Sequence, residues 1–99
     1  MKSNQFSIGM VVEVLCGRDQ GKLMMVLFIV DETYVRLVDG VGRTLDKPKL
    51  KKVKHLKDTG EILDGIAVKL TTGMPVFDAE IRSAIRNCIN KLNDGGHNV

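Results

Sequence analysis

The chain has 99 residues, 43% of them apolar, with a net charge of +3, a pI near 9.0 and only four aromatic side chains, Phe6, Phe28, Tyr34 and Phe77. A chain this short fits one domain, or a small barrel with an appendage, around an aliphatic core and leaves little room for a deep, water-excluding active site. So few aromatics, with no Trp, also argue against a surface that stacks bases on an aromatic platform.

Residues 1–5 are polar, and no signal-like apolar core follows them. Residues 10–16 are rich in Val and read as a first strand, with Glu13 marking an exposed face. Gly17-Arg18-Asp19-Gln20-Gly21 reads as a turn in which both glycines are free to take positive φ. Residues 22–30 form a second strand and contain the longest apolar run, eight residues from 23 to 30. A membrane helix needs roughly 20. Asp31-Glu32-Thr33 turns the chain into a third strand, residues 34–38. There Val35 and Leu37 face one way and Tyr34, Arg36 and Val38 the other. Asp39-Gly40 is a hairpin signal, so residues 41–45 are expected as a short fourth strand. Pro48 lacks a backbone donor and marks a loop or a sheet edge. Residues 51–56 follow as a closing strand.

Beyond residue 57 the apolar period lengthens from strand to helix spacing. Asp58-Thr59-Gly60-Glu61 resembles a capping box, and Ile62, Ile66 and Leu70 recur every four residues behind it. A helix over residues 60–72 is predicted, ended by Gly73 and Pro75. A second helix, residues 78–93, carries Ile81, Ala84, Ile85, Cys88, Ile89 and Leu92 as one apolar stripe and stops at Gly95-Gly96. The expected fold is mainly β with C-terminal α. A small SH3-like β-barrel over residues 1–57 precedes a helical hairpin over residues 58–99. The hairpin is expected to bury Ile62, Ile66, Leu70, Ile81, Ile85, Ile89 and Leu92 within itself or against the barrel.

Charge is unevenly distributed. Residues 43–57 hold seven basic side chains (Arg43, Lys47, Lys49, Lys51, Lys52, Lys54 and Lys57) and one acid, Asp46. That segment is +6 and the remainder of the chain −3. Concentrated positive charge is the footprint of a phosphate-binding surface. Signals for catalysis are missing: two histidines and two cysteines, none closely spaced, make no zinc site. The turn ending in Gly21-Lys22 is no Walker loop, because Leu23 stands where Ser or Thr is required. No enzyme, cofactor or metal is expected. Cys16 and Cys88 lie far apart without a disulfide framework, which points to a reducing compartment. The protein is expected to be cytoplasmic, monomeric and free of the membrane.

One segment is more specific. Gly9, Val11, Val12, Val14, Gly17, Gly21 and Lys22 together resemble the KOW motif, in which a hydrophobic strand opened by Gly runs into a Gly-x-x-x-Gly-Lys turn. The glycines let the backbone turn tightly with accessible amides, and Arg18 and Lys22 flank the opening. Tyr34-Val35, Val38-Asp39-Gly40, Lys47-Pro48-Lys49, Lys54-His55-Leu56 and Asp78-Ala79-Glu80-Ile81-Arg82 extend the likeness. The chain resembles the short bacterial KOW-domain RNA-binding proteins. These are similar to the archaeal and eukaryotic large-subunit ribosomal protein family numbered fourteen with the suffix e. The resemblance implies an SH3-like barrel that binds ribosomal RNA on the ribosome. The expected contacts are Gly17, Arg18, Gly21, Lys22, Arg43, Lys47, Lys49, Lys51, Lys52, Lys54 and His55, although a lone histidine is more often structural. The competing reading is a protein-interaction module accessory to transcription elongation or translation, docking on a ribosomal or elongation protein.

Overall fold

The computed structural model describes residues 5–97, the side chains of 93–97 excepted. The first three strands form where the apolar runs and the alternation put them: β1 Met10–Val14, β2 Leu23–Ile29 and β3 Tyr34–Val38. The expected fourth strand does not form. Residues 41–45 are irregular because the Asp39 carboxylate accepts the amides of Val41 and Arg43, both at 2.9 Å. The amides of Asp39 and Gly40 in turn donate to the Arg43 carbonyl. This closes a compact loop where a hairpin strand was expected. The fourth strand is β4, Lys49–Lys52, and the expected closing strand is broken by a 3-10 turn, Val53–His55.

The largest correction concerns residues 58–61. They do not cap a helix; they belong to β5, Leu56–Ile62. The Thr59 hydroxyl donates to the Val11 carbonyl at 2.7 Å, and the Asp58 carboxylate accepts the Gly60 amide at 2.8 Å. The β1–β5 register slips between Met10 and Val12. A cap donor and acceptor serve equally well to shape a β-bulge when a neighbouring strand supplies the partner. β5 therefore crosses the expected 57/58 boundary, and α1 spans Asp64–Thr72 rather than starting at 60. Gly73 ends it in a left-handed cap, as read. The second helix, α2, starts at Asp78 and runs through the expected stop at Gly95-Gly96 to His97. Glycine weakens a helix by about 1 kcal/mol per residue without blocking it.

The strands make one antiparallel five-stranded sheet in the order β4-β3-β2-β1-β5. The protein is mainly β with C-terminal helices. The backbone ladder does not close, since β4 and β5 are the two edges. Yet the sheet curls, for Lys51 on β4 donates its ammonium to the carbonyl of Cys16, just past β1, at 3.0 Å. The inner face gathers Phe6, Val12, Val14, Met24, Val26, Val35, Leu37 and Leu56. The outer face carries Met25 and Val38, on which Ile66 of α1 and Ile81 and Ile85 of α2 pack.

The two helices thus share a sheet face, joined by the Lys69–Glu80 ion pair at 2.9 Å. Ile66, Ile81, Ile85 and Cys88 are buried as expected, whereas Ile62, Ile89 and Leu92 are exposed. Ile62 lies on a strand, not on the helix stripe. Ile89 and Leu92 lie in the second half of α2, whose 20 residues outreach strands of four to seven residues. Among the described residues no helix is long and apolar enough to cross a membrane.

Candidate nucleic-acid interface

The turn between β1 and β2 is built by its glycines. Gly17 and Gly21 have φ of 90° and 88°, values that any other residue adopts only with strain. The amides of Gln20, Gly21 and Lys22 donate to the carbonyls of Gly17, Val14 and Asp19. Those three amides are therefore spent inside the turn, and anion recognition there falls mainly to side chains.

Asp19 is the anchor. It is buried, with 7% of its surface exposed. Its carboxylate accepts two hydrogen bonds from the Arg43 guanidinium, at 3.2 and 3.0 Å, and pairs with the Lys22 ammonium at 3.3 Å. Burial pushes this carboxyl up, but the hydrogen bonds and charges of Arg43 and Lys22 outweigh it and hold Asp19 below its ordinary value. A carboxylate with a depressed folded-state pKa stabilises the fold above its unfolded pKa. That stability is lost as pH falls toward and through the folded value. Asp19→Asn is therefore expected to cost about 1–3 kcal/mol at neutral pH. The gap to wild type should close on acidification through the carboxylate range. Denaturant unfolding over a descending pH series measures it, and a gap that stays constant with pH would count against the tether.

This tether assembles part of the expected site. Gly17, Arg18, Gly21, Lys22, Arg43 and Lys51 surround one turn, and the His55 carbonyl accepts the Leu15 amide at 2.9 Å, drawing the 3-10 turn to the same end of β1. Three of the cations already have partners: Lys22 and Arg43 on Asp19, Lys51 on Cys16. Arg18 is exposed and has no ion pair among the described residues.

The lysine run does not form a single surface. In β4, Lys49 and Lys51 stand opposite Leu37 and Val35, on the side of the inner core. Leu50 and Lys52 stand opposite Arg36 and Tyr34, on the outer face. The pleat sends successive side chains to opposite faces. Lys47 is exposed in the loop before β4 and Lys54 in the 3-10 turn.

Sequence reasoning passed over two arginines. Arg82 and Arg86, four apart on α2, line a groove of about 530 Å³ with Lys22, Val41, Ile89 and Leu92. Their helical spacing was visible, but nothing local showed that the face beside them would meet the β1–β2 turn. Among the described residues no three potential metal ligands come together, and burial pushes the Cys88 thiol up, away from reactivity.

The geometry defines a small curled sheet with a cation-flanked glycine turn, carried on two helices. No family model and no curated protein matches this chain.

Proposed function

We propose that the protein binds RNA as a cytoplasmic, monomeric, ribosome-associated protein without catalytic activity, gripping ribosomal RNA phosphates. The curled sheet is read as an SH3-like barrel of the KOW type. One observation carries the reading. A turn with two positive-φ glycines is clamped between Arg43 and Lys51, with Arg18 exposed on it. The +6 segment over residues 43–57 supplies the long-range attraction. Contacts of this kind fix position on the RNA and carry little sequence information.

The groove favours a second reading, a protein-interaction module. Its walls include the exposed aliphatic residues Val41, Ile89 and Leu92, which suit apolar side chains of a protein better than phosphates. Co-sedimentation with ribosomal subunits separates the two. Association that falls steeply with salt and disappears after ribonuclease treatment is the expected result. Association that survives ribonuclease and high salt would assign the protein to a protein partner.

A further inference from the structure

Scarce aromatics argue against an extended stacking platform, but two of the four, Phe28 and Tyr34, share one sheet face with Arg36, and we propose that this outer face of the β2–β3–β4 part of the sheet stacks unpaired RNA bases. This rests on the RNA-binding reading above and adds a second kind of contact to it. The helices cover the outer face around Met25 and Val38, where Leu23 and Leu27 also pack. One rung further, Phe28 stands opposite Arg36 and Arg36 opposite Leu50, and Tyr34 stands opposite Lys52. Phe28 is 43% exposed, and Leu50 and neighbouring Val30 are 41% and 45% exposed. Directly opposed side chains lie about 5 Å apart and diagonal ones about 7–8 Å apart, so Phe28, Tyr34 and Arg36 form one continuous patch.

A defect in the sheet puts Phe28 there. The β2–β3 register slips between Val26, opposite Leu37, and Phe28, opposite Arg36. Val26 and Leu37 belong to the inner core. Without the extra residue, simple alternation would pair Phe28 with Val35 and send it into that core. The bulge moves a large aromatic out of a position where it would be buried and sets it beside a guanidinium. Bulges recur where a strand re-aims a side chain for function.

The chemistry favours RNA over protein. A protein-docking patch keeps its apolar residues at the centre and its charges at the rim. Here Arg36 occupies the centre of the Phe28–Arg36–Leu50 row, and Lys52 interrupts the next. Neither cation, nor the Tyr34 hydroxyl, has a hydrogen-bond or ion-pair partner among the described residues. Of the aspartates flanking β3, Asp39 is engaged by the amides of Val41 and Arg43 and Asp31 by those of Thr33 and Tyr34. An aromatic ring and a planar guanidinium side by side offer π faces to bases and positive charge to the backbone between them. The patch also shares β4 with the basic segment, so one strand of RNA could meet both.

The test compares a fluorescein-labelled oligouridine of about eight nucleotides with an abasic ribose-phosphate strand of equal length. Both are titrated by anisotropy against wild type and Phe28→Ala, with folding checked by circular dichroism. Wild type should bind the uridine strand about ten-fold tighter than the abasic one. Phe28→Ala should lose that margin while keeping its affinity for the abasic strand and its salt slope. Arg36→Lys, which keeps the charge and loses the plane, should lose part of it. Equal wild-type binding to both strands overturns the stacking surface and leaves phosphate binding standing. Binding to neither strand overturns both readings. A self-association that vanishes in Phe28→Ala while RNA affinity stays constant assigns the patch to a second copy of the chain, and the stacking proposal fails.

Discussion

Gly40→Ala is expected to cost about 3 kcal/mol or more and to lower Tm by more than about 10 °C. Gly40 has φ of +79° and sits in the loop after β3, against the first turn of α2. A Cβ there would fall on the Asp78 carbonyl oxygen and stand 2.9 Å from the Arg82 amide nitrogen. Both are backbone atoms of a helix and cannot swing aside as a flexible side chain would. Arg82 also donates to the Gly40 carbonyl at 3.0 Å, and the Asp78 carboxylate accepts the Leu45 amide at 2.8 Å. Displacing the helix therefore breaks these bonds as well. Two terms add: positive-φ strain, about 1–2 kcal/mol for a residue with a Cβ, and overpacking, about 1–3 kcal/mol. Gly21→Ala separates them, because Gly21 has φ of +88° but nothing within 4 Å of the added carbon. It should lose only the strain. Thermal melts of the two variants give the packing contribution by difference. Equal losses would mean that the loop does not rest on α2 in solution.

The second large effect concerns binding. Arg18, Lys47, Lys49 and Lys54 form no ion pair among the described residues. Replacing all four with Gln should leave the fold intact and weaken binding to every RNA alike. Each phosphate contact contributes about 0.7 to the log–log salt slope on single strands. Loss of four contacts should flatten the slope by about 3 and lower affinity about a hundred-fold near physiological salt. Lys51→Gln should behave differently. Its ammonium holds β4 to Cys16, so that change should show in stability as well as in affinity. Titrations of ribosomal RNA at several salt concentrations decide the matter. A folded quadruple variant with wild-type affinity and slope would make these cations a solvated surface, and the protein-interaction reading would then become the better one.

Much was legible from the chain alone, wherever a signal is carried by residues close in sequence. Val-rich and continuous apolar stretches of strand length placed β1 and β2, and alternation placed β3, because a strand facing a core presents apolar side chains every second residue or, covered on both faces, a continuous run. Gly17 and Gly21 announced their turn and both took positive φ, since glycine is the residue that does so without strain. Gly73 announced the end of α1, and the spacing of Ile81, Ile85 and Cys88 announced the buried stripe of α2. The tertiary structure decided the cases in which one local signal served two outcomes. Asp58 and Thr59 fit a helix cap as well as a bulge, and the Val11 carbonyl, 48 residues away from Thr59, selected the bulge. A run of lysines reads as one charged surface until the pleat of an edge strand divides it, and β4 became a strand only by pairing with β3. Asp19 stands next to Arg18 in the chain, yet it bonds Arg43, 24 residues on. Phe28 lies inside the longest apolar run of the chain, and a one-residue slip against β3 turns it to the surface. Periodicity and turn chemistry are set within a few residues of chain, whereas partners for hydrogen bonds, charges and exposed faces are set by which strands and helices come to lie side by side.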